Sequence, residues 1–140
     1  LYISYFFKRY RSEYYDRLQA IRDSGNWEGW LKFFLRGVYE VAQEATATAR
    51  KIVSMKEEHR LLLIDKMGQR SGNAIALLES LYFKPIFTVE HAQQVVGVSY
   101  PNANKLIKDL CDIGILQEIT GQKRNRAFAY DPYLQVFRDD

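Results

Sequence analysis

Apolar residues in the first part of the chain recur at the spacing of amphipathic helices. Between residues 4 and 23 they lie three or four positions apart, at Phe7, Tyr10, Tyr14, Leu18 and Ile21. This spacing predicts one helix that buries these side chains on a single side. The Ser-Gly-Asn turn at 24–26 ends the helix, and Asn26 is placed to cap the next one.

A second apolar stripe predicts a long helix after Asn26. Its members are Trp27, Trp30, Leu31, Phe34, Val38, Ala42, Ala45, Ala49 and Ile52. We expect this stripe, including both tryptophans, to form a core. The helix extends to about residue 66, and whether it breaks near Thr46, Thr48 or Ser54 stays open.

Aromatic residues crowd the first part of the chain, where 12 of the 20 lie within the first 39 positions. Tyr5, Phe6 and Tyr15 lie off the first stripe, so more than one helix face is apolar. Such helices belong to a larger bundle. We therefore expect residues 1–66 to pack against protein outside this chain, or against a second copy in a homodimer. The start at Leu1, within a helical pattern and without methionine, suggests a fragment of a longer protein.

The pattern changes after residue 66, where a polar stretch rich in glycine and serine begins. Two short helices are predicted next, at 74–83 and after a Thr88 cap. Gly97, Val98 and Ser99 then form a tight turn before a helix at 100–113 that ends at Gly114. This last helix buries four residues: Ala103, Leu106, Ile107 and Leu110.

Two alternating segments, 115–120 and 126–130, predict strands joined by a charged loop at 121–125. Three helices with a helix-turn-helix, followed by a two-stranded ribbon, make a winged helix. The predicted fold class is therefore mainly α: a helical hairpin over 1–66, then a winged helix-turn-helix domain with a small β-hairpin wing over 67–140.

Composition excludes several classes of protein. No apolar run approaches the roughly 20 residues of a membrane span, and no signal peptide is recognisable, so we expect a cytoplasmic protein without membrane contact. Cys111 is the single cysteine, which excludes internal disulfides and cysteine-rich zinc sites. Residues 1–66 carry 12 basic and 9 acidic residues, net +3, whereas 67–140 carry eight of each, net zero. Any nucleic-acid contact by the second part must therefore use a local basic patch.

The helix at 100–113 and the wing carry the candidate binding residues. Asparagine reads adenine edges, lysine suits phosphate or guanine, and a basic wing reaches phosphate or the minor groove. The predicted DNA-binding residues are Ser99, Tyr100, Asn102, Asn104, Lys105, Lys108, Lys123, Arg124, Asn125 and Arg126.

Catalytic chemistry has little support in the chain. His59 and His91 lack a neighbouring nucleophile pattern and are interpreted as surface histidines. Cys111 is interpreted as a packing thiol, and no glycine-rich phosphate loop occurs. We therefore expect no catalytic residues, cofactor or metal in this fragment.

Several segments resemble Fic (filamentation induced by cAMP) proteins. Residues 2–7 (YISYFF), 11–15 (RSEYY) and 25–35 (GNWEGWLKFFL) resemble the helices that follow the Fic catalytic core. Residues 100–104 (YPNAN), 114–116 (GIL) and 121–126 (GQKRNR) resemble the winged helix that ends many bacterial members.

The resemblance implies a parent enzyme that transfers AMP from ATP, with a divalent metal, onto a hydroxyl of a target protein. Its His-Pro-Phe and Gly-Asn-Gly-Arg motifs are absent here, so the fragment is expected to be non-catalytic and to follow an upstream Fic core. Its expected partner is double-stranded DNA, through a transcription-regulator-like module. The alternative is that the winged helix is a protein-interaction module that regulates the Fic core or its target.

Overall fold

A computed structural model describes residues 3–122 and 124–138. The chain divides into two compact units, Leu1–Arg50 and Lys51–Asp140. The fold class predicted from the sequence is confirmed: the protein is mainly helical, with a small antiparallel sheet.

The first unit contains helices α1 (Ile3–Arg9) and α2 (Arg11–Ser24) and the first part of α3 (Trp27–Met67). The single helix predicted over 4–23 is interrupted at Tyr10, whose φ of −107° and ψ of 42° leave the helical region. The cap predicted at Asn26 is confirmed, because its side-chain oxygen accepts a hydrogen bond from the Gly29 amide at 2.9 Å.

The buried face of α3 in this unit differs from the predicted stripe. Phe6, Phe33 and Val41 form the core, whereas Trp27 is 60% exposed and Leu31 is 53% exposed. The prediction that Trp27 belongs to a core is therefore wrong, while Trp30 does pack against this cluster. The reason is that α3 has apolar residues on two faces, and α1 covers the one that contains Gly37.

The glycine at position 37 explains this choice of face. A Cβ built there would lie 2.6 Å from Cδ1 of Phe6 and 2.9 Å from Cδ1 of Ile3. Only a residue without a side chain lets α1 approach α3 this closely. The apolar periodicity could not show this, because glycine adds nothing to a hydrophobic stripe.

The second unit contains the end of α3 and a winged helix. A 3₁₀ turn at Gly68–Arg70 leads to α4 (Ser71–Leu81), β1 (Ile86–Thr88), α5 (Val89–Val96) and α6 (Tyr100–Asp112). Then come β2 (Gln117–Glu118), β3 (Ala127–Ala129) and a short α7 (Asp131–Gln135). The polar stretch after residue 66 is thus largely helical, and α7 was not predicted.

The sheet has three antiparallel strands in the order β1-β3-β2. The two predicted strands are present but shorter than expected, and β1 was missed. β1 pairs with β3, with Phe87 opposite Phe128. The three residues of β1, which follow Pro85, are too few to show an alternation of apolar and polar side chains. This strand therefore forms because β3 is available as its partner.

The core of the second unit includes Leu63 and Met67 from the end of α3, together with residues from α4, α5, α6 and the sheet. The last part of α3 is also held by Lys56, whose Nζ lies 3.1 Å from Oε1 of Glu79. The compact units therefore divide inside α3 at residue 50, earlier than the boundary suggested after residue 66.

Candidate nucleic-acid interface

Helix α6 has one buried and one exposed face. Ala103, Leu106, Ile107 and Leu110 are buried as predicted, since they lie three or four positions apart. The opposite face exposes Tyr100, Asn102, Lys105 and Lys108, and Asn104 is half-buried at its edge. The polar residues predicted for DNA contact on this helix therefore share one surface.

The turn before α6 fixes its direction relative to α5. Gly97 has a φ of +71°, and its amide donates to the Gln93 carbonyl at 2.9 Å. Ser99 occupies the N-cap position of α6, although its side chain makes no capping hydrogen bond. The helix-turn-helix geometry predicted from Gly97-Val98-Ser99 is therefore present.

The wing is a hairpin between β2 and β3. The Ile119 amide donates to the Ala127 carbonyl at 2.9 Å, and the Ala127 amide donates to the Thr120 hydroxyl at 3.1 Å. Beyond these bonds the loop turns through Gly121 and Asn125, both with positive φ. Arg124 and Asn125 are exposed, and Lys123 lies outside the described residues.

Arg126 connects the root of the wing to α6. Its guanidinium donates to Oδ1 of Asn104, lies 3.7 Å from Oε2 of Glu118, and stacks over the Phe128 ring at 5.4 Å from the centroid. The exposed face of α6 and the wing are therefore neighbours on one surface. Arg126 and Asn104 bind each other there, so both have partners within the protein.

A cleft of about 450 Å³ lies beside the exposed face of α6. The polar residues that line it are Gln69, Arg70, Asn73, Asn102, Lys105 and Asp109. Arg70 is exposed, and its guanidinium lies 3.5 Å from Oδ2 of Asp109. Arg70 was not among the predicted DNA-binding residues, because the stretch around it was interpreted only as a turn. The sequence feature that could have identified Arg70 is a single basic residue next to the start of a helix in the same domain.

The cations of this surface differ in how they are paired. Within residues 3–122 and 124–138, Lys105, Lys108 and Arg124 take part in no ion pair, and they are exposed. Arg70 and Arg126 are paired with carboxylates. The surface therefore has three unpaired positive charges near α6 and the wing, with Asp109 and Glu118 close by.

The two histidines are half-buried, so their interpretation as surface histidines is wrong. His59 Nδ1 lies 2.6 Å from the hydroxyl of Tyr130, a fully buried side chain. Burial lowers the pKa of His59 and, together with nearby Lys84, that of His91. Burial also raises the pKa of Tyr130. The His59–Tyr130 pair therefore favours neutral side chains and joins α3 to the residue that follows β3.

Cys111 packs against the core as predicted. Burial raises the pKa of its thiol, which keeps it protonated and a poor nucleophile. In the part of the chain that the structure describes, no three His, Cys, Asp or Glu residues are grouped so that they could hold a metal ion.

Over residues 3–122 and 124–138, no helix combines the length and the apolar character needed to cross a membrane. The resemblance to Fic proteins rests on the sequence segments quoted above and stays a prediction. No protein-family model matches the chain.

Proposed function

We propose that the winged helix of this protein binds double-stranded DNA. Helix α6 enters the major groove, and the wing lies along the neighbouring backbone or minor groove. The observation that carries the proposal is the contact of Arg126 with Asn104, which places the wing beside the exposed face of α6. A helix with a basic loop beside it can contact a groove and its flanking phosphates together.

The side chains divide into three roles. Asn102 near the start of α6 contacts base edges, since an amide pairs with adenine, and Ser99 and Tyr100 contact the adjoining backbone. Lys105, Lys108 and Arg124 contact phosphates, and Lys123 and the exposed Asn125 extend the wing contact. Arg126 and Asn104 hold the wing against α6. They therefore affect DNA affinity by positioning the wing, not by contacting DNA.

Arg70 adds a phosphate contact to the predicted set. It lies in the cleft with Lys105, and its pairing with Asp109 is long and partly exposed. Such a pair stabilises the fold little, so exchanging the carboxylate for a phosphate costs little. The cleft then follows one DNA strand past α6.

The parent protein is proposed to be a Fic-type AMP-transferase, with this chain as its non-catalytic C-terminal part. The support is the resemblance to that family of residues 2–7, 11–15 and 25–35 and of residues 100–104, 114–116 and 121–126. ATP and a divalent metal belong to the upstream core in this proposal. DNA binding then localises the enzyme or controls its own operon in a bacterial cytoplasm.

The direct test is a mobility-shift titration of the 140-residue chain with a mixed-sequence 30-base-pair duplex over a series of salt concentrations. The logarithm of the affinity falls linearly with that of the salt, by about 0.9 for each phosphate contact. We expect Lys105→Gln and Arg124→Gln each to weaken binding and to reduce this slope by about 0.9.

Lys84→Gln is the matched control. Lys84 is exposed and precedes β1, whose first residue, Ile86, pairs with Ala129 at the end of β3. Lys84 therefore lies at the end of the sheet away from the wing loop, and its loss should leave both affinity and slope unchanged. No shift at low salt, or an equal loss in all three variants, would contradict the proposal.

The alternative function is docking of the winged helix on a protein. The equal numbers of acidic and basic residues over 67–140 favour it. A segment with no net charge repels neither an acidic nor a basic partner protein. In that case the chain binds no duplex at low salt, and an upstream Fic core captures it through the exposed face of α6. Loss of capture in Lys105→Gln would then identify the same surface as a protein contact.

A further inference from the structure

Helix α3 carries a second apolar seam that the first unit leaves exposed. Six residues alternate four and three positions apart: Leu31, Leu35, Val38, Ala42, Ala45 and Ala49. This is the spacing of the contact positions in a coiled coil. Leu31, Leu35 and Val38 are 53, 62 and 41% exposed, because the unit's own core uses the face with Phe33 and Val41.

The seam is bulky at one end and small at the other. Its first three residues are leucine, leucine and valine, and its last three are alanines. A groove of about 400 Å³ runs beside the first alanine, lined by Tyr39, Ala42, Gln43, Thr46, Ala47 and Arg50. The Thr46 hydroxyl donates to the Ala42 carbonyl at 2.7 Å, so it needs no water or partner. The alanine half is therefore a recess suited to large apolar side chains.

Two such seams fit each other when their helices run in opposite directions. A twofold axis at position 40 places Leu31 opposite Ala49, Leu35 opposite Ala45 and Val38 opposite Ala42. Every layer then combines one large and one small side chain, which gives an even separation of the helices. In a parallel pair, leucine meets leucine and alanine meets alanine, so the two ends require different separations.

The charges beside the seam favour the same direction. Glu28, whose Oε1 also lies 2.6 Å from Nζ of Lys32 on the same helix, is near the bulky end, and Arg50 lines the groove at the alanine end. The antiparallel arrangement brings Glu28 of each copy close to Arg50 of the other, twice by symmetry. The parallel arrangement places like charges together instead, which is unfavourable.

We propose that this seam is a homodimer interface, in which α3 of one copy packs antiparallel against α3 of a second copy. The interface is isologous, since each copy contributes the same surface. The proposal does not rest on DNA binding, because every residue that carries it lies in the first unit.

The first test is sedimentation equilibrium of the 140-residue chain from micromolar to hundred-micromolar concentration. The chain should form dimers, and Leu35→Glu should weaken the association at least 100-fold by placing a charge in the seam. Leu61→Glu is the matched control, because Leu61 is a 53% exposed leucine on the same helix but outside the seam. A chain that stays monomeric at every concentration would overturn the proposal. The seam would then be a contact for another protein, such as an upstream core. Equal weakening by both substitutions overturns it as well.

The second test measures direction by disulfide formation in a Cys111→Ala background. Leu31→Cys and Ala49→Cys proteins, mixed and oxidised, should cross-link to each other and not to themselves. In the antiparallel dimer, the two copies of position 31 are 18 residues apart along the helices, roughly 27 Å at 1.5 Å per residue. Self-cross-linking of Leu31→Cys would mean a parallel pair and would overturn the proposal.

The third test exchanges the flanking charges. Glu28→Arg and Arg50→Glu should each weaken the dimer about two- to tenfold, as expected for two exposed ion pairs. The double substitution should restore the association, because the pairs re-form with reversed sign. Additive weakening in the double variant contradicts the antiparallel arrangement.

Discussion

Tyr130 is a fully buried residue whose hydroxyl is held by two polar groups. It lies 2.6 Å from Nδ1 of His59 and 3.3 Å from the Tyr82 hydroxyl. Tyr130→Phe keeps the ring and removes these bonds, leaving His59 without its partner. We expect a loss of about 1 kcal/mol in the free energy of unfolding, measured by urea denaturation. Tyr133→Phe, at a residue that is only partly buried, is the control and should cost less.

His59 and His91 make stability depend on pH near neutrality. Burial lowers the pKa of both imidazoles below the ordinary value of 6.5, so below that pH the unfolded chain binds more protons than the folded one. Stability should therefore be full above about pH 7 and fall as the pH drops below 6.5. Urea midpoints at pH 7.5 and 5.5 measure this, and His59→Gln should show a smaller difference. A midpoint that rises on acidification would contradict the assignment.

Gly37 shows how one missing side chain decides the packing of the first unit. Gly37→Ala adds a Cβ that meets the Phe6 ring at 2.6 Å. We expect overpacking of about 1–3 kcal/mol to outweigh the roughly 1 kcal/mol gain in helix propensity. Both tryptophans lie in this unit, so thermal unfolding followed by tryptophan fluorescence reports it. Gly72→Ala is the control, since nothing lies within 4 Å of its Cβ, and it should leave this transition unchanged.

The relative position of α6 and the wing depends on Arg126. Arg126→Lys keeps the positive charge but loses the fork that joins Asn104 to Glu118. If its role is positional, duplex affinity should fall roughly fivefold, corresponding to about 1 kcal/mol, while the salt slope stays the same. A mobility-shift series separates this from direct phosphate contact, in which lysine would preserve affinity.

The local elements of the winged helix follow from the sequence, whereas its long-range pairings do not. The buried stripe of α6, the Gly97 turn and the hairpin loop are set by neighbouring residues, and all three were predicted. Strand β1 exists because Phe87 lies opposite Phe128, 41 positions away. No pattern within three residues encodes such a partner.

The face of α3 could not be chosen from its periodicity, because both faces are apolar. The stripe through Leu31 and Val38 is real, yet the chain buries Phe33 and Val41 instead. At the candidate interface, likewise, the polar residues of α6 were identified by their spacing from the buried ones. The sequence could not predict that Arg126 pairs with Asn104 or that Arg70 lies in the cleft. Both depend on the tertiary structure.

The two units of the chain differ sharply in the number of apolar side chains that they bury. Among the described residues, the second unit's core cluster has 17 buried side chains and the first unit's has three. Because apolar burial drives folding, we expect the second unit to be stable on its own. The first unit buries little and leaves its seam exposed, and in our proposal a second copy covers that seam.

A chain of residues 51–140 therefore should fold alone, bind the duplex and stay monomeric. We expect a cooperative urea transition, a salt slope equal to that of the 140-residue chain, and the mass of one copy in sedimentation equilibrium. A non-cooperative transition would mean that the second unit needs the first. Dimers of 51–140 would place the interface outside the α3 seam, and loss of duplex binding by a folded 51–140 chain would place DNA contacts in residues 1–50. Because the three measurements concern different surfaces, each proposal can fail while the other stands.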